Sequence, residues 1–146
     1  MADDDEYVDT FVQGDDGALM AAIQARDEGV TKLLTPTAGN LAKQQALQLA
    51  LQDPPYATKT EAVKYAAYEV VARVLTAIKE SDIPAAVESL SLEQCDVLMK
   101  LLYRGLGQPG KKTDTYATLL KWHPVVLQRA GQASIVRAIS EVRQGL

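Results

Sequence analysis

The sequence predicts an all-α fold: a single compact helical domain of about six or seven helices, preceded by an extended acidic N-terminal arm. Three observations carry that prediction. Of 146 residues, 47% are hydrophobic but only 5% aromatic, and the prominence of Ala, Leu, Val and Gln favours helix over strand. Apolar residues recur at helical spacing along most of the chain, and no Val/Ile/Thr alternation long enough for a strand competes with them. Gly, Pro and Asn clusters punctuate the pattern at intervals that suit short helices. A chain of this length forms one ordinary domain and buries about 68–70% of its unfolded surface, so it folds without disulfides or metal.

The arm is residues 1–17 and the body residues 18–146. The arm holds seven acids (Asp3, Asp4, Asp5, Glu6, Asp9, Asp15, Asp16) and no base. The formal net charge of -4 therefore hides a body with 12 acids against 15 bases. Phosphate would repel such an arm, which argues against nucleic-acid binding there. A purely solvating tail has little use for Tyr7, Phe11 and Val12, whereas a segment that docks on a partner needs apolar anchors.

In the body, Gly17–Ala25 reads as a short helix capped by Asp15 or Asp16, with Gly29 and Thr35–Gly39 interrupting the pattern. Asn40 caps a helix running to about Gln52, stopped by Asp53-Pro54-Pro55. Thr58 and Glu61 fit a capping box for the next helix, which reaches about Lys79 and carries Val63, Ala67, Val70, Val74 and Ile78 on one face. Asp82 and Pro84 restart a short helix ending near Leu90. Ser91 and Gln94 form a second capping box. The helix behind them carries Leu92, Cys95, Leu98, Met99, Leu101, Leu102 and Leu106, with only Asp96, Lys100 and Arg104 polar, so it is central to the core. Gly105–Gly110 breaks it. A further helix begins near Thr113 with Tyr116, Leu119, Leu120, Val126 and Leu127 inward, and Pro124 should bend or divide it near Lys121. Gly131 stops it, and a last helix places Ile135, Ile139 and Val142 on one face.

Chemistry-bearing motifs are sparse. GLGQPGKKT (105–113) places Gly105, Gly110 and Lys111 at phosphate-loop spacing. Lys112 stands where the Mg²⁺-binding hydroxyl belongs, and a helix precedes the loop instead of a strand. His123 has neither nucleophile nor orienting acid in pattern with it, and a structural role beside Trp122 fits better. Cys95 lies on an apolar helix face as a small core residue, and with one Cys and one His there is no zinc cluster. The reading is no enzyme, no cofactor, no metal and no small-molecule substrate. MADDDEYVD lacks the basic and apolar regions of a signal peptide, and no apolar run approaches the ~20 residues that span a bilayer. The expectation is a reducing, intracellular compartment without membrane insertion.

Several stretches taken together resemble one family. Val97-Leu98-Met99-Lys100, Tyr103 and Gly105 are followed by Leu119-Leu120-Lys121-Trp122-His123 and by Ser134-Ile135-Val136-Arg137. Upstream, Asp53-Pro54-Pro55, Thr58-Lys59 and Ala62-Val63-Lys64 fit in order, as do Asp5-Glu6-Tyr7 and Phe11-Val12 in the arm. The chain resembles the smallest, roughly 16-kDa subunit (subunit 5) of the actin-related-protein 2/3 complex. The resemblance implies a non-catalytic, all-helical part of a seven-subunit assembly that nucleates branched actin filaments in the cytoplasm and actin cytoskeleton. It implies a body that docks on the subunit-4 scaffold near the β-propeller subunit 1. It also implies an arm that reaches actin-related protein 2, with Asp5, Glu6, Tyr7, Phe11 and Val12 as the contact candidates. The alternative from the residues alone is a free-standing helical adaptor.

Overall fold

The computed structural model describes the backbone of residues 2–54, 58, 60–107 and 113–143, and their side chains apart from those of 2–15, 113–114, 133 and 141–143. Seven α-helices run through these residues: α1 (Ala2–Leu33), α2 (Asn40–Ala50), α3 (Glu61–Ala77), α4 (Ile83–Glu88), α5 (Leu92–Leu106), α6 (Thr113–Ala130) and α7 (Ala133–Arg143). A single 3-10 turn, Glu80–Asp82, precedes α4. The expected helix count and the absence of strands hold among the described residues. The arm's side chains fall almost entirely outside them.

Two groups of helices share one core. α1 packs on α2 and α3, and α5 packs on α6 and α7. The groups meet where α3 and α4 lie against α6. Trp122 of α6 sits at this junction, fully buried, and its indole N–H donates to the Leu75 carbonyl of α3 at 3.2 Å. The same core holds Leu47, Leu75, Leu90, Leu98, Met99, Leu102 and Leu119, each less than 2% exposed. A buried indole needs a partner for its one donor, and this bond supplies it without admitting water.

Several elements depart from the sequence reading, each for a local physical reason. Neither Gly17 nor Gly29 interrupts α1. A Cβ on Gly29 would stand 2.7 Å from a Leu49 methyl, so this glycine lets α1 approach α2 closely. α3 does not open on a Thr58–Glu61 capping box, because Thr60 is its N-cap residue and makes no side-chain cap bond. The Ser91–Gln94 box of α5 is fully formed, with both reciprocal bonds present. Pro124 lies inside a helix that continues from Thr113 to Ala130, so it does not divide α6. Pro124 and Leu120 are both exposed, and water can take the Leu120 carbonyl that a proline four residues on leaves without its helical donor. Gly105 belongs to α5, whose C-cap is Gly107, so the break begins later than expected. Residues 108–112, with Gly110, Lys111 and Lys112, lie outside the described set.

The apolar faces are mostly placed as expected, with three exceptions. Cys95, Leu98, Met99, Leu101 and Leu102 are buried on α5, but Leu92 at its first turn is 60% exposed. Leu119 and Val126 point inward from α6, whereas Leu120 is 59% exposed. On α7 Ser134 and Ala138 are buried, while Ile139 is exposed beside Val136, and the side chain of Val142 lies outside the described residues. At 3.6 residues per turn, positions 119 and 120 are 100° apart, and only one of them can face the core squarely.

Candidate interaction site

Among the described residues, a polar cluster joins α1 to the residues just before α3. Asp16 of α1 is buried, and its carboxylate accepts from two hydroxyls that precede α3. Thr58 donates to Oδ1 at 2.7 Å and Thr60 donates to Oδ2. Thr58 also accepts from the Thr60 backbone N–H at 3.0 Å, which orders the two threonines relative to each other. The Thr60 bond, then the Thr58 bond, hold the Asp16 carboxyl below its ordinary value of 3.8, against the opposing effect of burial. Two hydroxyl donors aimed at one carboxylate form a latch. Thr58 therefore does not cap α3, because its hydroxyl is engaged 42 positions away in sequence.

Further along, Arg73 of α3 donates to the Asp27 carboxylate at 2.6 Å, to the Asp27 carbonyl at 3.0 Å and to the Thr31 hydroxyl at 2.9 Å. An open groove of about 560 Å³ lies between α1 and α3, with Met20, Ile23, Tyr65 and Arg73 along it. The latch and the Arg73 cluster each hold α1 to α3.

The polar face expected on α5 is redistributed among neighbouring elements. Asp96 pairs with Arg137 of α7 at 2.9 Å, and Arg104 pairs with Glu61 at the start of α3. Lys100 is only 9% exposed. These side chains tie helices together instead of forming a solvated strip. Arg129 of α6 and Gln48 of α2 donate to the Leu90 and Ser89 carbonyls at the end of α4, at 3.0 and 3.2 Å. They satisfy acceptors that a six-residue helix leaves open.

The residues weighed as chemical candidates are structural. His123 shares a 2.9 Å hydrogen bond between Nε2 and the Tyr103 hydroxyl, with the two rings edge to face at 5.4 Å. Cys95 is fully buried, and burial raises its thiol above the ordinary cysteine value, the opposite of what an active nucleophile needs. Gly105 is buried within α5, where an added Cβ would stand 2.5 Å from the Tyr68 hydroxyl and 2.7 Å from a Leu119 methyl. It is a packing glycine, not the head of a phosphate loop. Among the described residues no group of three or more His, Cys, Asp or Glu is placed to hold a metal ion, and no helix is long and apolar enough to cross a membrane.

Asp5, Glu6, Tyr7, Phe11 and Val12 fall within the backbone span of α1, and their side chains lie outside the described residues. The residue that the sequence reading left without a contact is Asp16, counted there only as one more arm acid or a cap. Its signal was two threonines flanking a lysine just before a long helix, a pattern that reads locally as capping.

Together these features define an all-helical module whose described polar side chains hold helices to one another. Comparison with known proteins makes the class specific. Residues 3–144 match the model of the ARP2/3 complex 16 kDa subunit (p16-Arc) family, and the chain belongs to that family. It is 39% identical over 140 residues to actin-related protein 2/3 complex subunit 5 of Dictyostelium discoideum, covering 94% of this chain and 95% of the relative. It is 40% identical over 95 residues to subunit 5-C of Xenopus laevis and 41% over 96 residues to the subunit 5-like protein of Homo sapiens. Those two matches cover 65% and 66% of this chain, and 62% and 61% of the respective relatives. The family is named for a subunit of a complex, not for a reaction, and the chain is accordingly a component of the actin-related-protein 2/3 complex.

Proposed function

We propose that the chain is a non-catalytic structural subunit of this complex and supports the nucleation of branched actin filaments in the cytoplasmic actin cytoskeleton. Its helical body docks on the subunit-4 scaffold beside the β-propeller subunit 1. Its N-terminal segment tethers actin-related protein 2 through Asp5, Glu6, Tyr7, Phe11 and Val12. Actin is reached through the assembly, and any nucleotide belongs to the actin-related subunits.

The observation that carries this reading is the extent of the family match, which begins at residue 3 and so takes in the acidic segment as well as the body. The Asp16 latch gives the division of labour a physical basis. It fixes the point from which the acidic segment leaves the body, and tethering through a docked body raises the segment's effective concentration at a second partner.

The test is the double variant Tyr7→Ala, Phe11→Ala, expressed in place of the natural chain. Pull-down through this subunit should recover the scaffold subunits undiminished while retention of actin-related protein 2 falls. Circular dichroism of the isolated variant should show the body's helicity intact. A loss of body helicity, or equal loss of every subunit, would contradict the proposed division between body and segment.

A further inference from the structure

Thr60 stands where one hydroxyl has two possible uses. It is the N-cap residue of α3 and makes no side-chain bond to that helix; its hydroxyl donates instead to Oδ2 of Asp16 on α1. Thr58 donates to Oδ1 of the same carboxylate at 2.7 Å. We infer that Thr60 is a phosphorylation site, and that a phosphate there unlatches the Asp16 end of α1 from α3.

The first argument is charge. Asp16 is 9% exposed, and the partners of its carboxylate among the described residues are these two hydroxyls. A phosphothreonine carries about −1.5 to −2 charges at neutral pH, and its ester oxygen has no proton to donate. Held within hydrogen-bond distance of an ionised carboxylate, it turns an attraction into a repulsion. Two anions cannot share that position, so Asp16 must leave for water.

The second argument is that the modified side chain has somewhere to go. The first N–H groups of α3 have no acceptor within the helix, and the Thr60 hydroxyl gives them none. A phosphate on the N-cap residue can turn toward them, where the helix dipole favours negative charge. The same side chain therefore holds α1 when unmodified and its own helix when modified.

The third argument separates the two threonines. Thr58 is 8% exposed, and its oxygen already accepts from the Thr60 backbone N–H at 3.0 Å. Thr60 is half-buried, and its oxygen accepts no hydrogen bond among the described residues. Once the latch opens, that oxygen attacks the γ-phosphorus of ATP held by a protein kinase. The bond to the bridging oxygen breaks, ADP leaves, and the hydroxyl proton passes to a carboxylate of the kinase. The kinase captures the open state and the phosphate keeps it from closing. Arg73 keeps its bonds to Asp27 and Thr31 further along α1, so the release is confined to the stretch before them. The inference holds whether or not residues 1–17 reach actin-related protein 2.

The experiment has two parts. Phosphopeptide mass spectrometry of the endogenous protein, isolated with phosphatase inhibitors, should find phosphate on Thr60 and not on Thr58. Hydrogen exchange is then compared between the full-length chain and the same chain with phosphothreonine incorporated at Thr60. Amides of residues 17–23 should exchange about tenfold faster or more when Thr60 is phosphorylated, with those of α5 unchanged. Phosphothreonine incorporated at Thr37, exposed in the turn before α2, should leave residues 17–23 protected. Endogenous protein without phosphate on Thr60, unchanged exchange of residues 17–23, or equal acceleration from Thr37 would overturn the inference.

Discussion

At the scale of single residues, the contact between α3, α5 and α6 depends on Gly105 and Tyr68. Tyr68 is buried, and its hydroxyl has no hydrogen-bond partner among the described residues. Gly105→Ala sets a methyl 2.5 Å from that hydroxyl and 2.7 Å from a Leu119 methyl, so one or both side chains must shift. Overpacking of this kind costs about 1–3 kcal/mol, and urea denaturation should show a loss in that range. Tyr68→Phe deletes an unsatisfied buried group and should be neutral or stabilising. It should also recover part of the Gly105→Ala loss, because the two changes share one contact. A strongly destabilised Tyr68→Phe would mean that the hydroxyl has a partner after all. Sequence reading took Gly105 for a helix stop, since a glycine followed by Gly107 and Pro109 looks like punctuation. That a neighbouring tyrosine required it could be seen only in three dimensions.

At the scale of elements, the Asp16 latch joins α1 to the start of α3. Both hydroxyl bonds favour the ionised carboxylate, so its folded pKa lies below the ordinary 3.8. A group depressed in this way stabilises the folded state fully above its unfolded pKa and loses that contribution as pH falls through the folded value. Asp16→Asn keeps the shape and removes the charge. Its urea midpoint should therefore lie below that of the natural chain at pH 7, and the gap should close as pH falls below about 4. A gap unchanged down to pH 2 would assign the effect to shape and not to the charge-assisted bonds. The boundaries of α4 and α5 were legible because their signals are local: Pro84 in a first turn, and Ser91 with Gln94. α2 begins where expected, but Asn40 is its first helical residue and not its cap; the N-cap is Gly39, with no side-chain cap bond. The latch was not legible, because Thr58 and Glu61 satisfy a local rule while their side chains serve Asp16 and Arg104, each more than 40 positions away. The α5 polar strip misled for the same reason. Asp96, Lys100 and Arg104 have the spacing of a solvated face, but tertiary partners draw them inward.

At the scale of the whole molecule, helical periodicity was enough for the fold because each helix buries one stripe against a single shared core. It could not separate core from interface. Leu92, Leu120 and Val136 obey the same spacing as buried neighbours yet stand exposed, and exposed apolar side chains on docking surfaces are what a subunit needs. The family match over residues 3–144 accounts for the chain as a component of a larger assembly. The most direct test is the native size and composition of the endogenous protein, purified gently through a C-terminal tag. The account predicts one stoichiometric multi-subunit particle containing two actin-like chains, with no separate pool of free subunit. Recovery as a lone 15.8 kDa species, or with a shifting set of substoichiometric partners, would contradict it and establish the chain as a free-standing helical adaptor.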